Sequence, residues 1–183
     1  MSPALIQSLI WMDYRLAVLF TVILPLILLV WAFFAKADVM QRLLIIYWRV
    51  ASLLAITIYL LIGSLPIGFL TGFLASILIP ISLWFWVDIN EEIAEQRPSR
   101  LKLFFTAWRW AVSAYCVLGA LVSLPFLQCA FSQAAFATPF CQTWVEPAIG
   151  YHAFFHPSYK AGFLGFFGIV GLVIYVLYLI YFM

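Results

Sequence analysis

Charge is what this sequence lacks. Only 9% of its 183 residues are Asp, Glu, Lys or Arg, against 67% hydrophobic, where a soluble domain carries roughly 25% charged residues. That leaves too little polar surface to wrap a globule of this size and puts the chain among integral membrane proteins. A net charge of +2 with no basic tract excludes nucleic acid as a partner. Histidine occurs twice and cysteine three times, with no Cys/His zinc spacing, no Gly-rich phosphate loop and no nucleophile paired with a base. The opening MSPALIQSLIWMDYR has neither the basic n-region nor the small-residue cleavage site of a removable signal peptide. The first apolar run is therefore expected to stay in the protein.

What the chain has instead is long apolar runs. A spanning helix needs about 20 mainly apolar residues, and five segments qualify: 16–34, 43–62, 67–87, 103–127 and 161–183. They predict an all-α polytopic membrane bundle, a single integral domain over 1–183, with Pro25 as a kink in the first span. Gly63-Ser64-Leu65-Pro66 is so short a turn that spans two and three form a tight antiparallel hairpin. Pro3–Tyr14 is too short to span and suits an interfacial helix or a tucked arm. Residues 128–160 form a long exoplasmic loop.

The one hydrophilic island runs from Trp84 to Lys102 and holds four of the seven acids and three of the nine bases. With five spans, the 35–42 loop, this island and the C-terminus share a side. That side carries Lys36, Arg42, Arg97, Arg100 and Lys102, whereas the other has Arg15 and Lys160. The positive-inside rule then puts the N-terminus outside and the C-terminus in the cytoplasm.

A repeat is suggested by two matched patterns. Trp48-Arg49 precedes Ser64-Leu65-Pro66, and Trp108-Arg109 precedes Ser123-Leu124-Pro125, with Arg-to-Pro spacings of 17 and 16 residues. Gly68-Phe69-Leu70 resembles Gly162-Phe163-Leu164. Spans two and three and spans four and five then read as parallel copies of one hairpin, against the alternative that common interfacial residues coincide. Gly68, Gly72 and Ser76 give span three a small-residue face of the kind that lets backbones approach. Gly162, Gly165, Gly168 and Gly171 recur every third residue in span five. Packing within the bundle and packing on a partner both fit.

Among residues able to carry chemistry, Arg49 and Arg109 sit beside Trp48 and Trp108, aromatics of the headgroup level. All four are expected as interfacial anchors, the arginines snorkelling to lipid phosphate or a nearby carboxylate. Asp88, Glu91, Glu92 and Glu95 lack the histidines of a carboxylate metal site. They are expected as solvated acids extending the third helix up to Pro98, pairing with Arg97, Arg100 or Arg109, and as a docking surface. His152 and His156, with Glu146, make a weak metal pattern, since Pro157 disfavours helix at His156. Cys129 and Cys141 face the oxidising side, and a bridge would close about a dozen residues, stabilising by about 3 kcal/mol. Cys116 is a small buried apolar residue. No Asp, Glu, His, Lys or Arg falls near the centre of an expected span, which argues against proton-coupled transport and intramembrane hydrolysis. The lack of membrane-interior histidine argues against an antenna protein. No catalytic residue, metal or cofactor is expected beyond bound lipid or a peripheral pigment.

Four segments carry a resemblance: Asp13-Tyr14-Arg15-Leu16-Ala17-Val18, QRLLIIYWRVASLLA at 41–55, IPISLWFWVDINEEI at 79–93, and Trp108-Arg109-Trp110-Ala111. Together the chain resembles a cyanobacterial integral membrane family catalogued as a domain of unknown function. The resemblance implies an oxygenic phototroph, a thylakoid or plasma membrane, and association with photosynthetic complexes. The exoplasmic side would then be the lumen, which fits a Cys129–Cys141 bridge. The resulting expectation is a non-catalytic accessory subunit or assembly factor, most simply of a photosystem, in contact with membrane lipids. The alternatives are a small channel or transporter for a neutral or apolar solute and, third, an enzyme using His152, His156 and Glu146.

Overall fold

A computed structural model describes Pro3 to Phe182, with side chains from Leu5 to Tyr181. Among the described residues every regular element is helical, as an apolar solvent that cannot pair backbone groups requires. Five helices are long and apolar enough to cross a membrane: Leu5–Phe34, Asp38–Ile62, Ile67–Trp84, Arg100–Phe131 and Ala161–Tyr181. The elements are α1 (Pro3–Val18), a π-helical turn (Leu19–Ile23), α2 (Leu24–Phe34), α3 (Asp38–Ile62), α4 (Ile67–Trp84) and α5 (Val87–Glu95). They continue with α6 (Arg100–Ser123), a 3₁₀ turn (Leu124–Leu127), α7 (Gln128–Phe131), α8 (Gln133–Phe136), α9 (Pro139–Phe155) and α10 (Ala161–Phe182).

Three expectations need correction. Pro3–Tyr14 is no separate arm: it runs unbroken through the π turn into α2, because no proline or glycine interrupts residues 4–24. The acids do not extend the third helix. That helix stops at Trp84, Trp86 takes a non-helical conformation (φ −82°, ψ 89°), and α5 then starts afresh and ends at Glu95, with Gln96 extended (ψ 145°). The 128–160 segment is largely helix, with α9 alone spanning 17 residues.

The chain packs as two units. Unit 1 takes the N-terminal segment through Met12, Ser52–Leu74 and the chain from Ser123 onward; unit 2 takes Asp13–Ala51 and Ala75–Val122. All four boundaries cut through helices, so each unit is assembled from distant stretches of sequence.

In unit 1 the α3–α4 turn is closed by a Leu65 N–H bond to the Leu60 carbonyl at 3.0 Å, with Ser64 in the left-handed region (φ 56°). Glycines then set the helix spacing. A methyl group at Gly165 would lie 2.7 Å from the Gly63 Cα, one at Gly168 would lie 2.9 Å from the Leu60 nitrogen, and one at Gly171 would lie 3.3 Å from Ile56. As the α10 number rises the α3 number falls, so α10 runs antiparallel to α3 with backbone on backbone. Gly68 meets Leu61 and Gly72 meets Thr57 across the α3–α4 hairpin, where the Thr57 and Thr71 hydroxyls lie 2.8 Å apart. Beside this, Cys129 and Cys141 form a disulfide with a Cα separation of 6.0 Å, buried among Phe69, Phe126, Phe136 and Val145.

Unit 2 is held differently. The Leu24 N–H bonds the Leu19 carbonyl across the π turn, and Pro25 has no N–H to offer Phe20 or Thr21. Two side chains supply donors instead. The Tyr47 hydroxyl donates to the Thr21 carbonyl at 2.7 Å, and Trp108 Nε1 donates to the Phe20 carbonyl at 2.9 Å. The π turn ahead of Pro25 thus becomes the socket into which α3 and α6 plug. The Tyr47 and Trp108 rings meet edge to face, 5.0 Å apart.

Candidate functional site

The densest polar assembly in unit 2 centres on Arg109, whose side chain is only 3% exposed. Its Nη2 donates to the Leu83 carbonyl at 2.8 Å and to Asn90 Oδ1, and its guanidinium lies 4.1 Å from the centre of the Trp84 ring. Asn90 Nδ2 in turn donates to the Trp84 carbonyl at 3.1 Å, and Trp84 Nε1 donates to Ser113 Oγ at 2.8 Å. Leu83 and Trp84 are the last residues of α4, where carbonyls lose their helical partners and the helix dipole presents negative charge. A buried cation at that point is matched to what surrounds it. Its Nε has no hydrogen-bond partner among the described residues.

This overturns the anchor assignment for Arg109 and Trp108. Both face protein, and Arg109 grips a carbonyl and an amide rather than lipid phosphate or a carboxylate. The reason is helical geometry: three consecutive residues point about 100° apart, so Trp110 can be 63% exposed while Trp108 is 4% exposed. Arg49 does remain exposed, and Trp48 Nε1 is buried without a hydrogen-bond partner among the described residues. The two Trp-Arg pairs of the suggested repeat therefore do unequal jobs. The same holds for its glycines, since Gly68 is packed on Leu61 whereas a methyl group at Gly162 would meet nothing within 4 Å.

A second polar pair corrects the inventory of the spans. The Tyr115 hydroxyl donates to Asp13 Oδ1 at 2.8 Å and lies 3.0 Å from the Asp13 carbonyl. Tyr115 is the midpoint of the expected 103–127 span, so a carboxylate does lie beside the middle of a span. The sequence hides it because Asp13 belongs to Pro3–Tyr14, a segment too short to span by itself. Phe20 stacks on the Tyr115 ring at 5.8 Å, and Cys116 is buried next to it in sequence.

The acids of the hydrophilic island all stand on α5 and are exposed. Glu92 pairs with Arg42 of α3 at 3.0 Å, in place of the expected Arg97, Arg100 or Arg109. Asp88, Glu91 and Glu95 have no ion-pair partner among the described residues. Lys102 Nζ donates to the Ala94 and Gln96 carbonyls, 2.7 Å each, capping the C-terminal end of α5.

In unit 1, α9 stops at Phe155 and leaves His156 as its C-cap. His156 Nε2 and the Tyr59 hydroxyl share a hydrogen bond of 3.1 Å, and His152 Nε2 donates to the Tyr159 carbonyl at 2.8 Å. Glu146 accepts from Gln7 Nε2 at 2.7 Å. The three residues of the weak metal pattern thus hold three different neighbours, and no three His, Cys, Asp or Glu side chains gather as a metal site among the described residues. Burial, and then the Tyr59 hydroxyl bonded to it, push the Tyr151 phenol above its ordinary range. Tyr59, His156, Tyr159, Phe163 and Phe167 wall an open aromatic cleft of about 590 Å³. Trp11 of α1 lies over Gly150 of α9, where a methyl group would come within 2.8 Å of its ring.

Of the residues expected to pack helices, Gly68, Gly72, Gly165 and Gly168 all face neighbouring helices of this chain. Ser76 also has a partner within the chain. Asn90, Asp13, Tyr115 and Tyr59 were not singled out by sequence.

Residues 7–183 match the family described as "Protein of unknown function (DUF3177)", and the chain belongs to that family. No curated protein and no solved structure matches it.

Proposed function

We propose that this protein is a non-catalytic accessory subunit or assembly factor of a thylakoid membrane complex, with a photosystem as the first complex to test. The observation that carries this reading is α5. It stands outside the spans, is tied to α3 by Arg42–Glu92, and presents Asp88, Glu91 and Glu95 with no ion-pair partner among the described residues. Such a fixed, acidic face steers and selects a basic partner surface. The resemblance to a cyanobacterial membrane family and the inward use of Arg109, Tyr47 and Trp108 for helix contacts support a packing role over a reaction. The orientation fitting this reading has a lumenal N-terminus and a cytoplasmic C-terminus.

Solubilisation of native membranes in mild detergent tests the reading by co-migration. The expected result is movement with a larger complex, lost on D88K/E91K/E95K with membrane insertion unchanged. Glu92 is left in place because its change would also release α5. Migration alone, or a charge-reversed chain that still binds, would count against it.

Asp13–Tyr115 favours a second reading, a small transporter, because a carboxylate within a membrane segment is functional by default. In reconstituted liposomes this reading expects proton-linked solute uptake that D13N abolishes. The accessory reading expects none.

A further inference from the structure

We infer that a basic cleft in unit 2 is a binding site for the phosphate of an anionic membrane lipid. The cleft, about 500 Å³, opens where α2 ends and α6 begins. Its rim carries Lys36, Arg97 and Arg100, and its floor is made by Trp31, Met40 and Leu101, of which Met40 and Leu101 are buried. Cationic rim over apolar floor, at the ends of two apolar spans, is the pattern of a lipid headgroup with its attached chains. Basic pockets between membrane helices take anionic headgroups on this principle.

Three observations point the same way. None of Lys36, Arg97 and Arg100 has an ion-pair partner among the described residues, although three acids of α5 stand exposed a few residues away in sequence. Among the described residues, the lining of the cleft thus holds three like charges and no acid. Next, Lys36 occupies the left-handed region at φ 52°. It does so where the α2 helix closes through the Ala37 N–H bond to the Ala32 carbonyl, 3.0 Å. That is the position a glycine fills without penalty. A lysine held there against backbone preference is the kind of outlier from which a binding role is inferred. Finally, the segment bearing Arg97 is braced from both sides. Lys102 Nζ holds the Gln96 carbonyl, and Ser99 Oγ caps α6 by accepting from the Lys102 N–H at 3.1 Å. A phosphate diester in a lipid and free inorganic phosphate share the recognised chemistry, and the apolar floor favours the lipid.

The test uses the full chain, transferred into nanodiscs of phosphatidylglycerol or of phosphatidylcholine, with lipid retention counted by native mass spectrometry. Wild type is expected to keep phosphatidylglycerol selectively. K36G/R97Q/R100Q should weaken retention on the order of a hundredfold, and K36G alone about fivefold, from the contribution of each basic residue at an anionic surface. K160Q, which removes one cation elsewhere, should leave it unchanged. K36G relieves the turn, so it should unfold no earlier than wild type, and it carries the test should the triple variant not fold. Equal retention of the two lipids by wild type, or undiminished retention by K36G and the triple variant, would overturn the assignment. So would inorganic phosphate whose binding disappears in the triple variant while lipid retention stays.

Discussion

Unit 1 and unit 2 solve one problem by opposite means. Between apolar helices in an apolar solvent there is no hydrophobic force to make one contact better than another. Unit 1 obtains specificity from shape: glycines on α10 meet the α3 backbone and Gly63 in the turn that follows it, and a disulfide fixes the segment beside them. Unit 2 obtains it from polarity. A π turn and a proline leave carbonyls open, and Tyr47, Trp108 and Arg109 each reach across to fill a backbone vacancy. Shape tolerates no added atom, whereas polarity tolerates no removed donor.

The contrast can be broken experimentally, beginning with the largest effect. Replacing both Cys129 and Cys141 with serine should lower stability by about 3 kcal/mol on the chain-entropy model. The loss should appear as faster hydrogen exchange in α7–α9 while the Tyr47–Trp108 region keeps its protection. Next, G165A forces atoms into the Gly63 backbone and should cost about 1–3 kcal/mol, read by unfolding in detergent. G162A, on the same helix but facing open space, should be near neutral. If the two glycines respond alike, close approach is not what holds α10. R109M leaves the Leu83 carbonyl and the Asn90 amide without their donor and should cost about 1–3 kcal/mol, with protection lost at the C-terminal end of α4. The smallest effect belongs to Y47F, about 0.6 kcal/mol, as membrane hydrogen bonds average. That loss should shrink in a P25A background, where a backbone N–H returns to the turn. Additivity of the two changes would sever the link between proline and tyrosine.

The spans and the short turn at Gly63–Pro66 were legible because hydropathy adds residue by residue and a four-residue connection admits one geometry. The small-residue faces were legible for the same reason. Arg109 was not, because its burial depends on Asn90 and the Leu83 carbonyl, partners that become neighbours only through the break at Phe85–Trp86. Nothing local distinguishes it from Arg49, which carries the same Trp before it and stays exposed. Asp13 was missed because the acid and its neighbours Tyr14 and Arg15 lower the hydropathy of the segment. Yet Pro3 at the first helical position and an apolar face through Leu5, Leu9 and Met12 were signals of a longer helix. The basic cleft was invisible for a plainer reason: Lys36 and Arg100 lie 64 positions apart, and only the end-to-end alignment of α2 with α6 makes them rim-mates.

The glycine contact has a consequence for how the chain is made. Residues 161–181 contain no charged side chain, and Lys160 just before them is the one cation at the start of α10. In the order of synthesis α10 follows α3 and α4, and the notch at Gly63 is what it meets. A helix with so little charge takes its register from fit, in a groove about as wide as one peptide backbone.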